Sequence, residues 1–427
     1  MVGETTGQRW RPMLAIAGVS SPSDQRVRPT VPAPQTCPTG VASTVPASAT
    51  PSRRRATNGT QKTTGRSRIV APILARHLRN GIEESVHRGD IVETDIAGRI
   101  IRQLGDPDRL VTLRSTVKPF GALALIEAGG IAAFDLEPAE IAILASSHSG
   151  EDLHVRTLQA IFRRSGVSQS LLGNGSDGAP LDVLTAARLA RDGEKPGPIR
   201  HMCSGQHTVF LLLSRLRGWD PNEYWKANHP AHVAYREMVA RAYGVPVGSL
   251  RTGLDGCGVD TYAFRLREVA RAYAMLADPA GIPSDDPRSE LGESLAIVRD
   301  AMIANPEMVA GRHDRLDTSL MKAVPGRIVA KAGMEALRGM GIVPGPRVGS
   351  SDAASSGIAV KIEDGGGYDR GSWAVSVEAL RQAGVLDEAA LRQLARYHRP
   401  AIIDPHGRLG AETVPEFELA PIRELVS

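Results

Sequence analysis

Residues 114–120 read Arg114-Ser115-Thr116-Val117-Lys118-Pro119-Phe120. A Ser-x-x-Lys tetrad puts hydroxyl and amine on one helix face, because positions i and i+3 are neighbours there. Serine becomes a nucleophile when a base takes its proton. Lysine is that base only when neutral, which requires burial or a nearby cation. Pro119 places the tetrad in a first turn, since proline breaks a helix interior. The positive helix end then favours an oxyanion. A second tetrad, Ser319-Leu320-Met321-Lys322, stands downstream. Either one also reads as a capping serine followed by a solvated lysine, and ordinary usage yields about one such match in a chain this long.

Lys331-Ala332-Gly333 ends a strand expected over 327–331. Its glycine allows close backbone approach. A Ser-x-x-Lys helix facing a Lys-x-Gly strand is similar to the β-lactamase and penicillin-binding layout. The third element of that layout, a Ser-x-Asn loop, has no clear counterpart. Ser146-Ser147-His148-Ser149-Gly150 offers hydroxyls instead. Two lysines converging on one site lower each other's pKa. Lys331 reads equally as an exposed strand residue.

Further out, alternation predicts strands over 91–94, 98–104 and 358–362, with Ala97-Gly98 as a turn. Helices are expected over 115–128, 138–145, 151–164, 206–217, 231–243, 266–276, 291–303, 375–383 and 388–397. Gly129-Gly130 stops the first of these, and Ser149 is the expected N-cap of the third. Helices outnumber strands, and the strands cluster at both ends. That pattern predicts an α+β fold: an antiparallel sheet with a helical layer or subdomain between its halves.

The formal charge of +4 is unevenly spread. Residues 1–68 hold ten Lys or Arg and two acidic residues, which leaves 41 basic and 45 acidic residues in the rest. The remainder therefore gives no electrostatic reason to expect nucleic acid. Residues 1–67 are rich in Pro, Ser, Thr, Ala and Arg without a hydrophobic period. Such a segment is expected to be disordered, which leaves 68–427 as the folded domain. No apolar run of about 18 residues suggests a membrane span. Cys37, Cys203 and Cys257 form no disulfide framework and suit a reducing cytoplasm. Cys203 and Cys257 stand among turn-forming residues, His201-Met202-Cys203-Ser204-Gly205-Gln206-His207 and Asp255-Gly256-Cys257-Gly258. Buried inert thiols fit them as well as metal ligands do.

Taken together, these stretches resemble the bacterial asparaginase II family of the thermolabile, Ser–Lys, zinc-associated type. Glu84-Ser85-Val86-His87-Arg88-Gly89, Leu104-Gly105-Asp106-Pro107, residues 114–120, 145–151 and 203–208, Leu254-Asp255-Gly256-Cys257 and Lys331-Ala332-Gly333 carry the resemblance in order. It runs over residues 81–362 and more weakly to the end. The resemblance implies a fold similar to serine β-lactamases and glutaminases. It implies two Ser–Lys pairs in one pocket, Ser115 with Lys118 and Ser147 with Lys331. It also implies a metal held by two cysteines, here Cys203 and Cys257, and a lysine. The lysine position holds Gln206, and an amide carbonyl is a poorer zinc ligand than an amine. Zinc is therefore expected to be weak or absent. No organic cofactor is implied.

The function so implied is hydrolysis of L-asparagine to L-aspartate and ammonia through an acyl-enzyme, in the cytoplasm, by a homodimer. Arg114 and Arg88 are candidates for the substrate carboxylate, and Asp255 for its amine. Two alternatives stay open. One is another Ser–Lys amidohydrolase, a glutaminase or a β-lactam-directed enzyme. The other is a non-catalytic binding protein on the same fold.

Overall fold

The structure, a computed structural model, describes residues 70–175, 180–349, 354–365 and 370–422. The expectation for residues 1–67, and Cys37 with it, lies outside the described residues. Eleven strands are described. They are β1 Ile73–Arg79, β2 Ile82–Thr94, β3 Ile100–Leu104, β4 Leu110–Thr112, β5 Arg251–Leu254, β6 Asp260–Arg265, β7 Ile328–Gly333, β8 Leu337–Ile342, β9 Ser356–Ile362, β10 Ala401–Ile403 and β11 Leu409–Pro415. Eight form one sheet in the order β10-β11-β1-β2-β9-β8-β7, with β3 also paired to β2. A small sheet, β4-β6-β5, stands apart. Every strand pair is antiparallel. The α+β architecture expected from the sequence is present.

Strand alternation explains why both faces of the large sheet are covered. On β9, Ala359 packs into one apolar cluster, while Ile358, Val360 and Ile362 pack into the other. Val92 and Ile91 of β2 divide the same way. The first cluster is closed by the Leu266–Ala277 helix, the second by the Gly371–Gln382 helix. The former lies so close that a Cβ on Gly357 would sit 1.9 Å from the Ala270 carbonyl. A Cβ on Gly339 would sit 2.2 Å from the Tyr273 ring.

Most expected helices occur within a few residues of their expected bounds, including Lys118–Glu127, Pro138–Leu144, Ser204–Arg217 and Pro230–Tyr243. Three expectations are corrected. Asp152–Ser165 is capped by Glu151, not Ser149, because the Ser149 hydroxyl is donated to the Ala310 carbonyl at 2.9 Å. The helix expected over 388–397 is broken into Glu388–Gln393 and Ala395–His398. Strands do not all lie at the chain ends, since β5 and β6 form in the middle. The β1–β2 hairpin went unrecognised, although Asn80-Gly81 is a strong type I′ turn signal. Both residues take positive φ there, 47° and 79°. Among the described residues no helix is long and apolar enough to cross a membrane.

Candidate active site

Ser115 lies in a 3₁₀ turn, Arg114–Val117, that runs directly into the Lys118–Glu127 helix. In 3₁₀ geometry residues i and i+3 eclipse, so Ser115 and Lys118 share one side. The turn is held from several directions. The Arg114 N–H donates to Thr261 Oγ1 at 2.9 Å. Tyr273 donates its hydroxyl to the Thr116 carbonyl at 2.9 Å. Arg114 itself sits at φ 47°, a conformation that costs a non-glycine residue about 1 kcal/mol or more. Its guanidinium grips both Asp255 carboxylate oxygens, at 3.1 and 2.9 Å.

The end of β7 packs against this turn. Gly333 makes that possible, since a Cβ there would meet the Leu113 carbonyl at 2.8 Å. Lys331 is thereby brought beside Lys118 and Ser147. All four residues of the two expected pairs are at least 95% buried. The pairing differs from the expectation in detail. Both lysines donate to one serine: Lys118 Nζ lies 3.1 Å and Lys331 Nζ 2.9 Å from Ser147 Oγ. The Ser115 hydroxyl has no hydrogen-bond partner among the described residues. Lys331 also donates to the Ala332 carbonyl at 2.7 Å. Burial first, then Lys118 and Arg315, holds the Lys331 amine well below the usual lysine range. It can therefore stand as a neutral base.

Ser147 belongs to the irregular segment between the Pro138–Leu144 and Asp152–Ser165 helices. Its N–H donates to the Val309 carbonyl at 2.9 Å. Arg315 donates to the Ser147 carbonyl at 2.7 Å and to Ser149 Oγ at 2.8 Å. His148 contacts Ser204 Oγ at 2.7 Å. Burial, and then His154, keeps that imidazole well below its usual range, so it is neutral. On the other flank, Asp317 accepts the Ala332 N–H at 2.8 Å and is paired with buried Arg338. Arg315, Asp317 and Tyr273 were not singled out from the sequence. No local motif marks them, because each acts on a residue far along the chain or on another element.

Cys203 and Cys257 meet beside this cluster, both buried and neither in a disulfide. Lys118 Nζ donates to Cys203 Sγ at 3.2 Å. The hydrogen bond from Cys257, then Lys118 and His201, holds Cys203 well below the usual thiol range, against its burial. The same bond pushes Cys257 up, so it keeps the shared proton. Gln206 is turned away and donates to the Tyr235 hydroxyl at 3.1 Å. Among the described residues the His, Cys, Asp or Glu group with metal-ligand spacing is Glu151, Asp182 and His313, not the cysteines. Two thiols without a third such ligand do not match the four-coordinate set zinc prefers. These residues do not fit the metal that the resemblance implies.

The other expected residues are scattered. Arg88 stays on β2, bonded to the Ala71 carbonyl at 3.1 Å, with β9 and β8 between it and β7. The second tetrad forms no pair. Ser319 Oγ donates to the Tyr397 hydroxyl at 3.0 Å, and Lys322 reaches Glu307 at 3.1 Å.

The sequence profile of L-asparaginase II matches residues 75–413. No curated protein matches the chain. Solved structures give distant similarities. Mglu in its tris and glutamate form is 17% identical, over 75% of this chain and 65% of its own, with a TM-score of 0.33. A probable glutaminase of Bacillus subtilis is 11% identical, over 69% of this chain and 88% of its own, TM-score 0.34. A Bacillus glutaminase in 4.3 M NaCl is 13% identical, over 70% and 92%, TM-score 0.36. The chain thus spans just under two thirds of the first of these. At such TM-scores the three carry no weight for fold or substrate.

Proposed function

The chain belongs to the L-asparaginase II family, and on that premise we propose that it is a Ser–Lys amidohydrolase that cleaves the side-chain amide of L-asparagine. The observation that carries this reading is the chain Lys331–Ser147–Lys118 beside the unpaired hydroxyl of Ser115. Lys118 takes the Ser115 proton as Ser115 attacks the amide carbon. The Ser115 N–H, at the start of the 3₁₀ turn, faces the oxyanion, while the Arg114 and Thr116 N–H groups are already bonded to Thr261 and to the Leu113 carbonyl. The C–N bond breaks, and the proton passes to the departing ammonia through Ser147 and Lys331. Lys331 then takes a proton from water as its oxygen attacks the acyl-Ser115 ester; the C–O bond breaks, aspartate leaves, and the proton returns through Ser147 and Lys118 to the Ser115 oxygen. Arg114 and Asp255 orient the substrate's charged ends, while Arg88 stays on β2, bonded to the Ala71 carbonyl. No step runs through a metal. A cytoplasmic homodimer completes the proposal.

Ammonia release from asparagine and from glutamine, with β-lactam ring opening of penicillin followed in parallel, tests it. Asparagine should give the highest kcat/KM. Faster release from glutamine, or turnover of penicillin alone, would replace asparagine as the substrate. No turnover of any of the three would favour a binding protein.

A further inference from the structure

A second cavity, of about 620 Å³, opens at the opposite side of the large sheet from the Ser–Lys cluster. His77 of β1, Arg370 and Trp373 at the start of the Gly371–Gln382 helix, Arg396, Arg399 and Ile402 of β10 contribute to its walls. Between β1 and β7 lie β2, β9 and β8, a lateral separation of about 19 Å at roughly 4.8 Å per strand. The cavity is therefore not part of the Ser–Lys site.

Its walls are chemically divided. Three arginines line the cavity. Arg396 is paired with Asp314, and Arg399 with Glu412 at 3.8 Å. Arg370 has no hydrogen-bond or ion-pair partner among the described residues. The helix that begins at Gly371 has no side-chain cap, so its first N–H groups add positive potential. The remaining wall is apolar, from Trp373 and the exposed Ile402.

Independent of charge, unpaired buried polar atoms gather at this helix start. They are His87 Nε2, Ser372 Oγ and Trp373 Nε1. His87 and Ser372 are at least 96% buried. His87 is pressed against the first helical residue, since a Cβ on Gly371 would meet its ring at 2.6 Å. Its Nδ1 is 3.5 Å from the Asp364 carboxylate. Buried polar atoms are rarely left unpaired in a folded protein, and of these residues Trp373 also lines the cavity.

We propose that this cavity binds a small organic anion, with its carboxylate or phosphate head on Arg370, Arg396 and Arg399 and a flat apolar body against Trp373 and Ile402. Its volume is that of an ordinary small-molecule site. The apolar part of the lining, Trp373 and Ile402, calls for an apolar body, which an inorganic ion lacks.

Titration calorimetry of the full chain with phenyl phosphate, benzoate and inorganic phosphate tests the proposal. Phenyl phosphate or benzoate should bind at one per chain, and whichever binds tighter identifies the head group. Inorganic phosphate should bind at least tenfold more weakly. Arg370→Gln and Arg399→Gln should each weaken binding at least tenfold, and exposed Arg191→Gln should not. Absence of saturable binding by both aromatic anions would overturn the proposal. So would unchanged affinity in both arginine variants, or equal affinity for inorganic phosphate.

Discussion

Lys331 Nζ reaches Ser147 Oγ at 2.9 Å from β7, across 184 residues of chain. Lys118 meets the same oxygen at 3.1 Å. One hydroxyl thus bridges two amines, and the amines differ in surroundings: Lys118 also touches Cys203, and Lys331 touches the Ala332 carbonyl. A bridge between unlike ends can carry a proton in a preferred direction.

Ser115→Ala and Lys118→Ala should each lower turnover by orders of magnitude while leaving the melting temperature near that of the wild type. The double variant should be little worse than either single one, because groups that act as a unit are not additive. Ser319→Ala serves as the control. Its hydroxyl only meets Tyr397, so activity should stay close to wild type. An inactive Ser319→Ala beside an active Ser115→Ala would assign the chemistry to the other tetrad.

Lys331 predicts a pH signature in stability as well as activity. Unfolded lysine titrates near about 10.4, whereas folded Lys331 titrates well below. Between those values the unfolded state binds the extra proton, so unfolding free energy rises with pH. The cost of the buried amine disappears only above the unfolded value. Lys331→Met should therefore melt higher than wild type at neutral pH, with the gap closing as pH approaches about 10. Activity should be lost in that variant at every pH. Thermal melts across the range decide this, and a gap that widens with pH would contradict it.

Arg315 fixes Ser147 through two hydrogen bonds, one to its carbonyl and one to Ser149. Arg315→Lys keeps the charge but cannot span both acceptors with one planar fork. Displacing Ser147 by about 1 Å should cost on the order of 100-fold in kcat. KM should change much less. A loss confined to KM would mean that Arg315 binds substrate directly.

Zinc content per chain after treatment with a mild chelator should be well below one in the wild type. Gln206→Lys supplies an amine where the amide now turns to Tyr235. That variant should retain more zinc, and more at higher pH, since only the neutral amine is a ligand. Full zinc occupancy in the wild type after chelation would show that another residue completes the set.

The Ser115–Lys118 tetrad was legible because its information is local: three residues of spacing and a proline. Lys331 was legible for the same reason, through the glycine two positions on. Arg315 and Tyr273 were not, because their partners lie 168 and 157 residues away and nothing near them in sequence says so. β8 was missed for a related cause. Gly339 and Gly341 weaken a strand pattern, yet both are there to admit the Leu266–Ala277 helix. The outer half of β2 was missed because residues 82–85 are exposed and mostly polar, so no apolar face announces the strand. The cysteines met as expected, but the turn of Gln206 toward Tyr235 is a choice made by tertiary packing.

Tyr273 rests its ring over Gly339 and ties its hydroxyl to Thr116, one residue from Ser115. The tyrosine is therefore a rigid strut, with its foot on the middle of β8 and its head under the Ser115 turn. Its length sets the height of Ser115 above the sheet. A methyl group added at Gly339 would raise the foot of the strut, and the turn would have to rise or release it. The floor of the sheet and the reach of the Ser115 hydroxyl are in this way one mechanical adjustment, made from β8.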